Sequence, residues 1–125
     1  VDLIINRARS FIFTTAPAPA AAAAALAALR VLRSGEGDTL RARLAALTSR
    51  VRPGHPSPII PVVLGDESAA VAASRALLVR GLLVPAIRPP TVPPGTSRLR
   101  VALSAAHSDE QISQLLTGLA AVVPA

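Results

Sequence analysis

The sequence has 125 residues, a length typical of one domain, and 51% of them are apolar while 16% are charged. This balance predicts a folded chain with a core rather than a disordered one. The chain has two Phe, no Tyr and no Trp, so it lacks the rings on which nucleic-acid-binding proteins stack bases, and no nucleic-acid partner is expected. The absence of Cys excludes disulfides and thiolate zinc sites, and two His are too few for a metal site built from His.

All 13 basic residues are Arg, and the absence of Lys limits the chemistry that the chain can perform. Without Lys the chain has neither a Schiff-base lysine nor a P-loop lysine, and no nucleophile–base pair is evident, so we assign it no catalytic residue. The net charge of +6 would suit an anionic partner. The arginines are scattered along the chain, however, which is more typical of a solvated surface.

A long apolar run over residues 16–29 is too short and too rich in Ala to predict a helix that spans a membrane. The first residues also lack the basic stretch and apolar core of a secretion signal. We therefore expect a cytoplasmic protein with no membrane partner.

The first half of the chain predicts mainly helices. Residues 10–15, rich in aromatic and β-branched types, predict a short extended segment. Residues 20–33 predict a helix from their Ala content, and most of its surface is expected to be buried because the helix carries no charge before Arg30. Residues 34–38 predict a turn. A second helix is expected over residues 39–50, with an apolar stripe formed by Leu40, Leu44, Leu47 and Val51.

The second half of the chain predicts strands that alternate with helices. Apolar, β-rich runs predict three strands, over residues 59–64, 82–87 and 98–104. Asp66 is placed to cap a helix that runs to about Arg80, and Ser108 with Gln111 forms a capping box for the last helix. The order of elements predicts an α+β fold, a small sheet of about three strands covered by helices.

Two residues stand out as candidates for ligand binding. Thr91 lies in a loop with four prolines, which is either a plain connector or a preorganised loop that holds a hydroxyl against a ligand. Arg100 lies on the strand face opposite Leu99 and Val101, where it could pair with a carboxylate of the chain, face solvent, or bind a ligand carboxylate. His107 could serve as a base, but a structural hydrogen bond is the favoured interpretation.

Four segments carry longer motifs: FIFTTAP at residues 11–17, VLGD at 63–66, IRPPTVPPGTSRLR at 87–100 and LSAAH at 103–107. Together they resemble the C-terminal part of the α-oxoamine synthases, pyridoxal 5'-phosphate enzymes of the aspartate-aminotransferase fold class. The resemblance implies the C-terminal small domain of a fold-type I enzyme, with residues 1–15 ending the large cofactor-binding domain and residues 16–125 forming the small domain. It also implies that the Schiff-base lysine lies upstream and that the connection over residues 49–58 is unusually short.

The resemblance implies roles for four residues. Thr14 and Thr15 match the pair that contacts the phosphate of the cofactor in the neighbouring subunit, which implies a homodimer with shared active sites. Hydroxyl groups are suitable donors to a phosphate. Thr91 matches the position that contacts the acyl substrate, and Arg100 matches the position that binds the carboxylate of the amino acid.

The form of the loop at residues 87–93 resembles most closely the biotin-synthesis branch of the family. That branch joins L-alanine to a pimeloyl thioester, carried by CoA or by an acyl carrier protein, with release of carbon dioxide. Such an enzyme is expected to be active only as the longer parent, because this chain has no lysine. The alternatives are a branch of the glycine C-acetyltransferase or 5-aminolevulinate synthase type, or a non-enzymatic ligand-binding or dimerisation module.

Overall fold

The computed structural model of the chain describes residues 1–13 and 15–123, which divide into two units, Val1–Asp38 and Thr39–Ala125. The first unit contains α1 (Asp2–Arg7), α2 (Arg9–Ile12), α3 (Pro19–Leu32) and the beginning of α4 (Gly35–Val51). The rest of α4 and all of the strands belong to the second unit.

The prediction of an extended segment over residues 10–15 is wrong for its first part. α2 continues to Ile12, and Phe13 forms a turn in which its N–H donates to the carbonyl of Arg9. A strand satisfies its backbone groups only by pairing with another strand, whereas a helical turn satisfies them locally. Thr14 lies outside the described residues, and Thr15 is exposed in the segment that leads to α3.

α3 forms where its Ala content predicts a helix, with Pro19 at its N-terminal end. The prediction that most of its surface is buried is wrong, because every residue of the helix is exposed. Ala has the highest intrinsic helix propensity, so the Ala run is helical although its residues are exposed. Within the described part of the chain, no helix is both long and apolar enough to cross a membrane.

α4 begins at Gly35, so the turn predicted over residues 34–38 is much shorter. The Ser34 hydroxyl donates to the carbonyl of Val31 at 2.7 Å, which closes the corner between α3 and α4. Gly37 is buried at this corner, where a Cβ atom would lie 2.4 Å from the carbonyl oxygen of Val31. Only glycine permits so close an approach of the two backbones.

The sheet of the second unit has three antiparallel strands in the order β1-β3-β2: β1 (Ile59–Gly65), β2 (Ala86–Ile87) and β3 (Ser97–Ala102). The number of strands confirms the α+β prediction of a small sheet. The strand predicted over residues 82–87 shrinks to two residues, since Pro85 has no N–H to donate to a neighbouring strand. The Pro85 carbonyl still accepts a hydrogen bond from the Arg100 N–H at 2.9 Å.

Two helices, α5 (Glu67–Val79) and α6 (Asp109–Val122), complete the second unit: α5 packs on the sheet, and α6 packs against α5. Strand side chains alternate between the core and the outer face, so Leu99 and Val101 are buried whereas Arg100 is exposed. The core combines strand, loop and helix residues: Ile60, Ala73, Leu77, Val84, Leu99, Val101 and Leu115.

The predicted caps of α5 and α6 are confirmed. The Asp66 carboxylate accepts a hydrogen bond from the Ala69 N–H at 2.8 Å, and Ser108 with Gln111 forms the reciprocal capping box. Gly81 follows α5 with φ of 78°, and its N–H donates to the carbonyl of Leu78.

β1 lies at one edge of the sheet, with Pro61 near its middle opposite Arg100. Because the Arg100 N–H points to β2, its partner Pro61 directs its backbone groups away from β3. A proline is tolerated there because no N–H is needed. The outward carbonyl of Pro61 accepts a hydrogen bond from the Arg52 guanidinium at 3.1 Å.

Candidate functional site

Arg100 is held on the outer face of the sheet by the two strands that flank β3. Its Cα pairs with Pro61 of β1, and its N–H donates to the Pro85 carbonyl just before β2. Its side chain is exposed, and the guanidinium makes no hydrogen bond or ion pair with any residue that the structure describes. Arg100 therefore presents a planar pair of donors that are free to bind a carboxylate or phosphate.

The face around Arg100 carries apolar side chains together with Arg98, which pairs with Val63. Ile59 and Val63 of β1 point to the same face and are 54% and 58% exposed. Ala102 of β3 is exposed beside Ile59, its partner in the strand register. Cations bordered by apolar side chains suit a small ligand that has an acidic group and an aliphatic part.

Thr91 lies in the loop between β2 and β3, which we call the proline loop (residues 88–96). Its N–H donates to the carbonyl of Arg88 at 3.1 Å across the Pro89–Pro90 pair, whose peptide bond is cis. Thr91 is exposed, and its hydroxyl makes no hydrogen bond with the described residues. The two predicted substrate-binding residues therefore lie on one β-hairpin, with Thr91 in its loop and Arg100 in its second strand.

The proline loop ends in a turn with a recognisable sequence. Gly95 has φ of 75°, and the Thr96 N–H donates to the carbonyl of Pro93, as in a type II turn with proline in its second position and glycine in its third. The Thr96 hydroxyl donates to the same carbonyl at 2.7 Å. This end of the loop is thus fixed by side-chain as well as backbone bonds.

Two further side chains tie the proline loop to the rest of the unit, and the sequence analysis missed both. Arg88 donates to the Glu67 carboxylate of α5 at 2.7 Å, and the Arg98 Nε donates to the carbonyl of Thr96 at 2.9 Å. Arg88 and Glu67 are 21 positions apart, so no local pattern signals their pairing. Arg98 donates to a backbone carbonyl, which every residue has, so no side-chain pattern signals that bond either.

His107 has the structural role that was favoured for it. Its Nδ1 accepts a hydrogen bond from the backbone N–H of Ser104 at 3.1 Å, and the backbone N–H of His107 donates to the Ser104 carbonyl. The His107 carbonyl in turn accepts from the Arg43 guanidinium at 2.8 Å, and the Ala105 carbonyl accepts from the same side chain. These contacts join α4 to the turn before α6, and they commit Nδ1 as an acceptor.

The remaining predicted site residues belong to the first unit. Thr15 is exposed in the segment between α2 and α3, and its hydroxyl has no partner among the described residues. Thr14 lies outside the described residues, so its assignment to the cofactor phosphate stays a prediction. The described residues also contain no group of three His, Asp or Glu side chains that could hold a metal ion.

A cavity of about 260 Å³ lies on the helix side of the sheet, lined by Val101 and Leu103 together with residues of α6. Because Val101 is buried and Arg100 is exposed on the opposite face, this cavity is separate from the candidate site. The candidate site is therefore an open surface of this unit, and a second surface would be needed to enclose a substrate.

Comparison with known proteins identifies the relatives of the chain. Among curated proteins, it is 49% identical over 132 positions to an 8-amino-7-oxononanoate synthase from Burkholderia vietnamiensis, which covers 97% of this chain and 32% of that protein. It is 52% identical to the enzyme of the same name from Anaeromyxobacter dehalogenans, over 99% of this chain and 33% of that protein. The chain thus spans about a third of the length of the curated relatives it matches.

The solved structures give the same class of relative. A serine palmitoyltransferase from Sphingomonas wittichii superposes with a TM-score of 0.80 at 34% identity, over 97% of this chain and 33% of that one. An 8-amino-7-oxononanoate synthase from Francisella tularensis superposes with a TM-score of 0.71 at 26% identity, over 96% of this chain and 37% of that one. The sequence model of the aminotransferase class I and II family matches residues 1–119. The chain therefore belongs to the aminotransferase class I and II family.

Proposed function

We propose that this chain is the C-terminal small domain of an 8-amino-7-oxononanoate synthase, an enzyme that joins L-alanine to a pimeloyl thioester in biotin synthesis. The observation that carries the proposal is the β-hairpin that presents the Arg100 guanidinium and the Thr91 hydroxyl, neither of which has a partner among the described residues. Sequence identity of 49% and 52% to curated enzymes of that name supports it. A cytoplasmic location is part of the same proposal.

Arg100 is proposed to hold the carboxylate of the amino acid. Two parallel N–H donors of a guanidinium bind the two oxygens of a carboxylate and so fix its orientation as well as its position. Holding the carboxylate at two points restricts rotation of the amino acid, and rotation determines which bond of its α-carbon is presented for reaction. The apolar side chains of Ile59 and Val63 border the same face without offering a competing polar group.

Thr91 is proposed to contact the acyl thioester through its hydroxyl. Thr91 lies in the proline loop and Arg100 lies in β3, so the two side chains stand at different points along one hairpin. The amino acid and the acyl chain are proposed to occupy neighbouring places along it.

The cofactor of the proposed enzyme is pyridoxal 5'-phosphate, and this chain can supply only part of its site. The cofactor acts as an electron sink for reactions at the α-carbon of an amino acid. The chain has no lysine to bind the aldehyde, so we expect this chain alone to be inactive and another part of the enzyme to supply the covalent link. Thr14 and Thr15 are proposed as donors to the phosphate bound in the neighbouring subunit of a homodimer.

The experiment that tests the proposal is a substrate comparison on the full-length protein. Alanine, glycine and serine are each paired with pimeloyl, acetyl, succinyl and palmitoyl thioesters, on CoA and on acyl carrier protein. We expect the highest kcat/KM for alanine with a pimeloyl thioester, and release of carbon dioxide in equal amount. Preference for another pair would refute the assignment, and absence of condensation with every pair would favour a non-enzymatic module.

A second candidate activity is that of a serine palmitoyltransferase-like enzyme. It is favoured by one observation, since the Sphingomonas wittichii protein has a higher TM-score, 0.80, than the Francisella tularensis one at 0.71. The same substrate comparison separates the two, because this alternative requires serine and a long acyl thioester.

A further inference from the structure

We propose that Thr96 is a positioning residue that holds the proline loop on β3 and so sets the place of the Thr91 hydroxyl. The inference rests on the proposed function, because it gives Thr91 its contact with the acyl thioester. Thr96 itself is not proposed to touch the substrate.

Thr96 joins the loop to the strand through three hydrogen bonds. Its N–H and its hydroxyl both donate to the carbonyl of Pro93, at 3.2 Å and 2.7 Å. Its own carbonyl accepts from the Nε of Arg98, a half-buried residue of β3, at 2.9 Å. One residue therefore connects the turn at the end of the loop with the strand that carries Arg100.

The prolines of the loop do not make this connection unnecessary. A proline ring fixes only its own φ angle, and it restricts the residue before it to extended conformations. Thr91 follows a proline and does not precede one, so its own backbone angles are left free by the rings. The position of Thr91 consequently depends on how the two ends of the loop are held.

The two ends are held unequally. The first is fixed by the Arg88–Glu67 ion pair, in which both side chains are half exposed, at 55% and 50%. Exposed pairs of this kind contribute little and are screened by salt. The second end has a backbone bond and a hydroxyl bond from Thr96 to the Pro93 carbonyl, and neither is an ion pair that salt would screen. Thr96 is thus the anchor that does not depend on the salt concentration.

The test compares four variants of the full-length enzyme. Thr96→Val removes the hydroxyl at nearly constant volume, and Thr96→Ser retains it. Thr91→Val tests the proposed contact with the thioester. Thr117→Val is the matched control, because that hydroxyl also donates to a backbone carbonyl, at 3.0 Å, but lies on α6.

We expect Thr96→Val to raise the KM for the thioester about fivefold, which corresponds to about 1 kcal/mol at 1.4 kcal/mol per tenfold change. The KM for alanine should remain within about twofold, since Arg100 is held by strand pairing and not by the loop. Thr96→Ser should restore the thioester KM, and Thr117→Val should leave both values unchanged.

Amide hydrogen exchange provides a readout that does not depend on activity. Four of the nine residues in the proline loop are prolines without an N–H, so its exchange reports on five amides: those of Arg88, Thr91, Val92, Gly95 and Thr96. We expect faster exchange of the loop in Thr96→Val than in Thr96→Ser, with the exchange of α6 unchanged.

The outcomes separate the two proposals. If Thr91→Val raises the thioester KM but Thr96→Val changes neither this KM nor the loop exchange, the positioning role of Thr96 is overturned. Equal increases in both KM values for Thr96→Val would also overturn it, because they would indicate a general structural effect. If Thr91→Val leaves the thioester KM unchanged, the assigned contact fails, and with it the catalytic purpose of the Thr96 anchor.

Discussion

Replacing Arg100 by Ala in the full-length enzyme removes a side chain that contacts none of the described residues by hydrogen bond or ion pair. The substitution should therefore change the free energy of unfolding by less than about 0.5 kcal/mol, as is usual for surface positions away from structural features. Its effect on the bound amino acid should be much larger. This separation of folding from binding makes Arg100 a suitable residue for testing the proposed site.

The size of the effect follows from the bonds that a two-point contact supplies. A hydrogen bond between charged groups contributes about 1.5–3 kcal/mol, so two of them contribute at least about 3 kcal/mol. At 1.4 kcal/mol per tenfold change, Arg100→Ala should lower kcat/KM for alanine by about 150-fold. Arg100→Lys keeps the charge but loses the planar fork, and we expect it to recover about half of this free energy, or about tenfold.

The assay measures kcat/KM for alanine at a saturating concentration of thioester, and then kcat/KM for the thioester at a saturating concentration of alanine. Arg75→Ala is the control, because Arg75 is also exposed and also lacks a partner among the described residues, but lies on α5. Arg98 is not suitable as a control, because its Nε donates to the Thr96 carbonyl. If Arg100→Ala leaves kcat/KM for alanine within about twofold of the parent, or if Arg75→Ala has the same effect, the carboxylate assignment is wrong.

Three more predictions concern other parts of the chain. If Thr15 contacts the cofactor of a neighbouring subunit, mixing an inactive Thr15→Ala protein with a protein that lacks the catalytic lysine should give heterodimers in which one active site is restored. Verified heterodimers without activity would contradict shared sites. Gly37→Ala should destabilise the protein by about 1–3 kcal/mol in thermal unfolding, because its Cβ would meet backbone atoms of Val31 and Leu32. Gly35→Ala is the control, because its Cβ would meet nothing within 4 Å. Equal melting temperatures of the two variants would refute this prediction. Hydrogen bonds from the Ser68 hydroxyl and the Ala69 N–H lower the pKa of Asp66 below its usual 3.8, so its stabilising effect should be complete above about pH 5 and lost as the pH falls through the folded-state pKa. Urea unfolding of the parent and of Asp66→Asn should therefore differ less at about pH 2 than at pH 7, and a constant difference would count against the capping role.

The parts of the structure that local sequence determines were the predictable ones. Alternation along β3 predicted the face of Arg100, because side-chain direction in a strand depends only on position. The caps at Asp66 and Ser108 were also predictable, since each bonds to an N–H three residues away. Ala content predicted α3 as a helix for the same reason, although not its exposure.

The features that depend on distant parts of the chain were not predictable. Arg43 donates to carbonyls 62 and 64 positions away, and no spacing in the sequence signals such a contact. Whether α3 is covered depends on surfaces outside the helix, so its apolar composition misled the prediction of burial. The shortening of β2 likewise depends on which N–H groups can reach β3, and Pro85 has none.

The middle of β1 has a consequence for how the chain behaves at high concentration. An open sheet edge can recruit an edge strand from another molecule and so begin aggregation. On this edge Pro61 offers no donor, and the Arg52 guanidinium already engages its carbonyl. An approaching strand would therefore meet a break in the ladder at its centre and could pair only with short stretches on either side. Replacing Pro61 and Arg52 together would convert the same edge into a continuous template for intermolecular β-sheet.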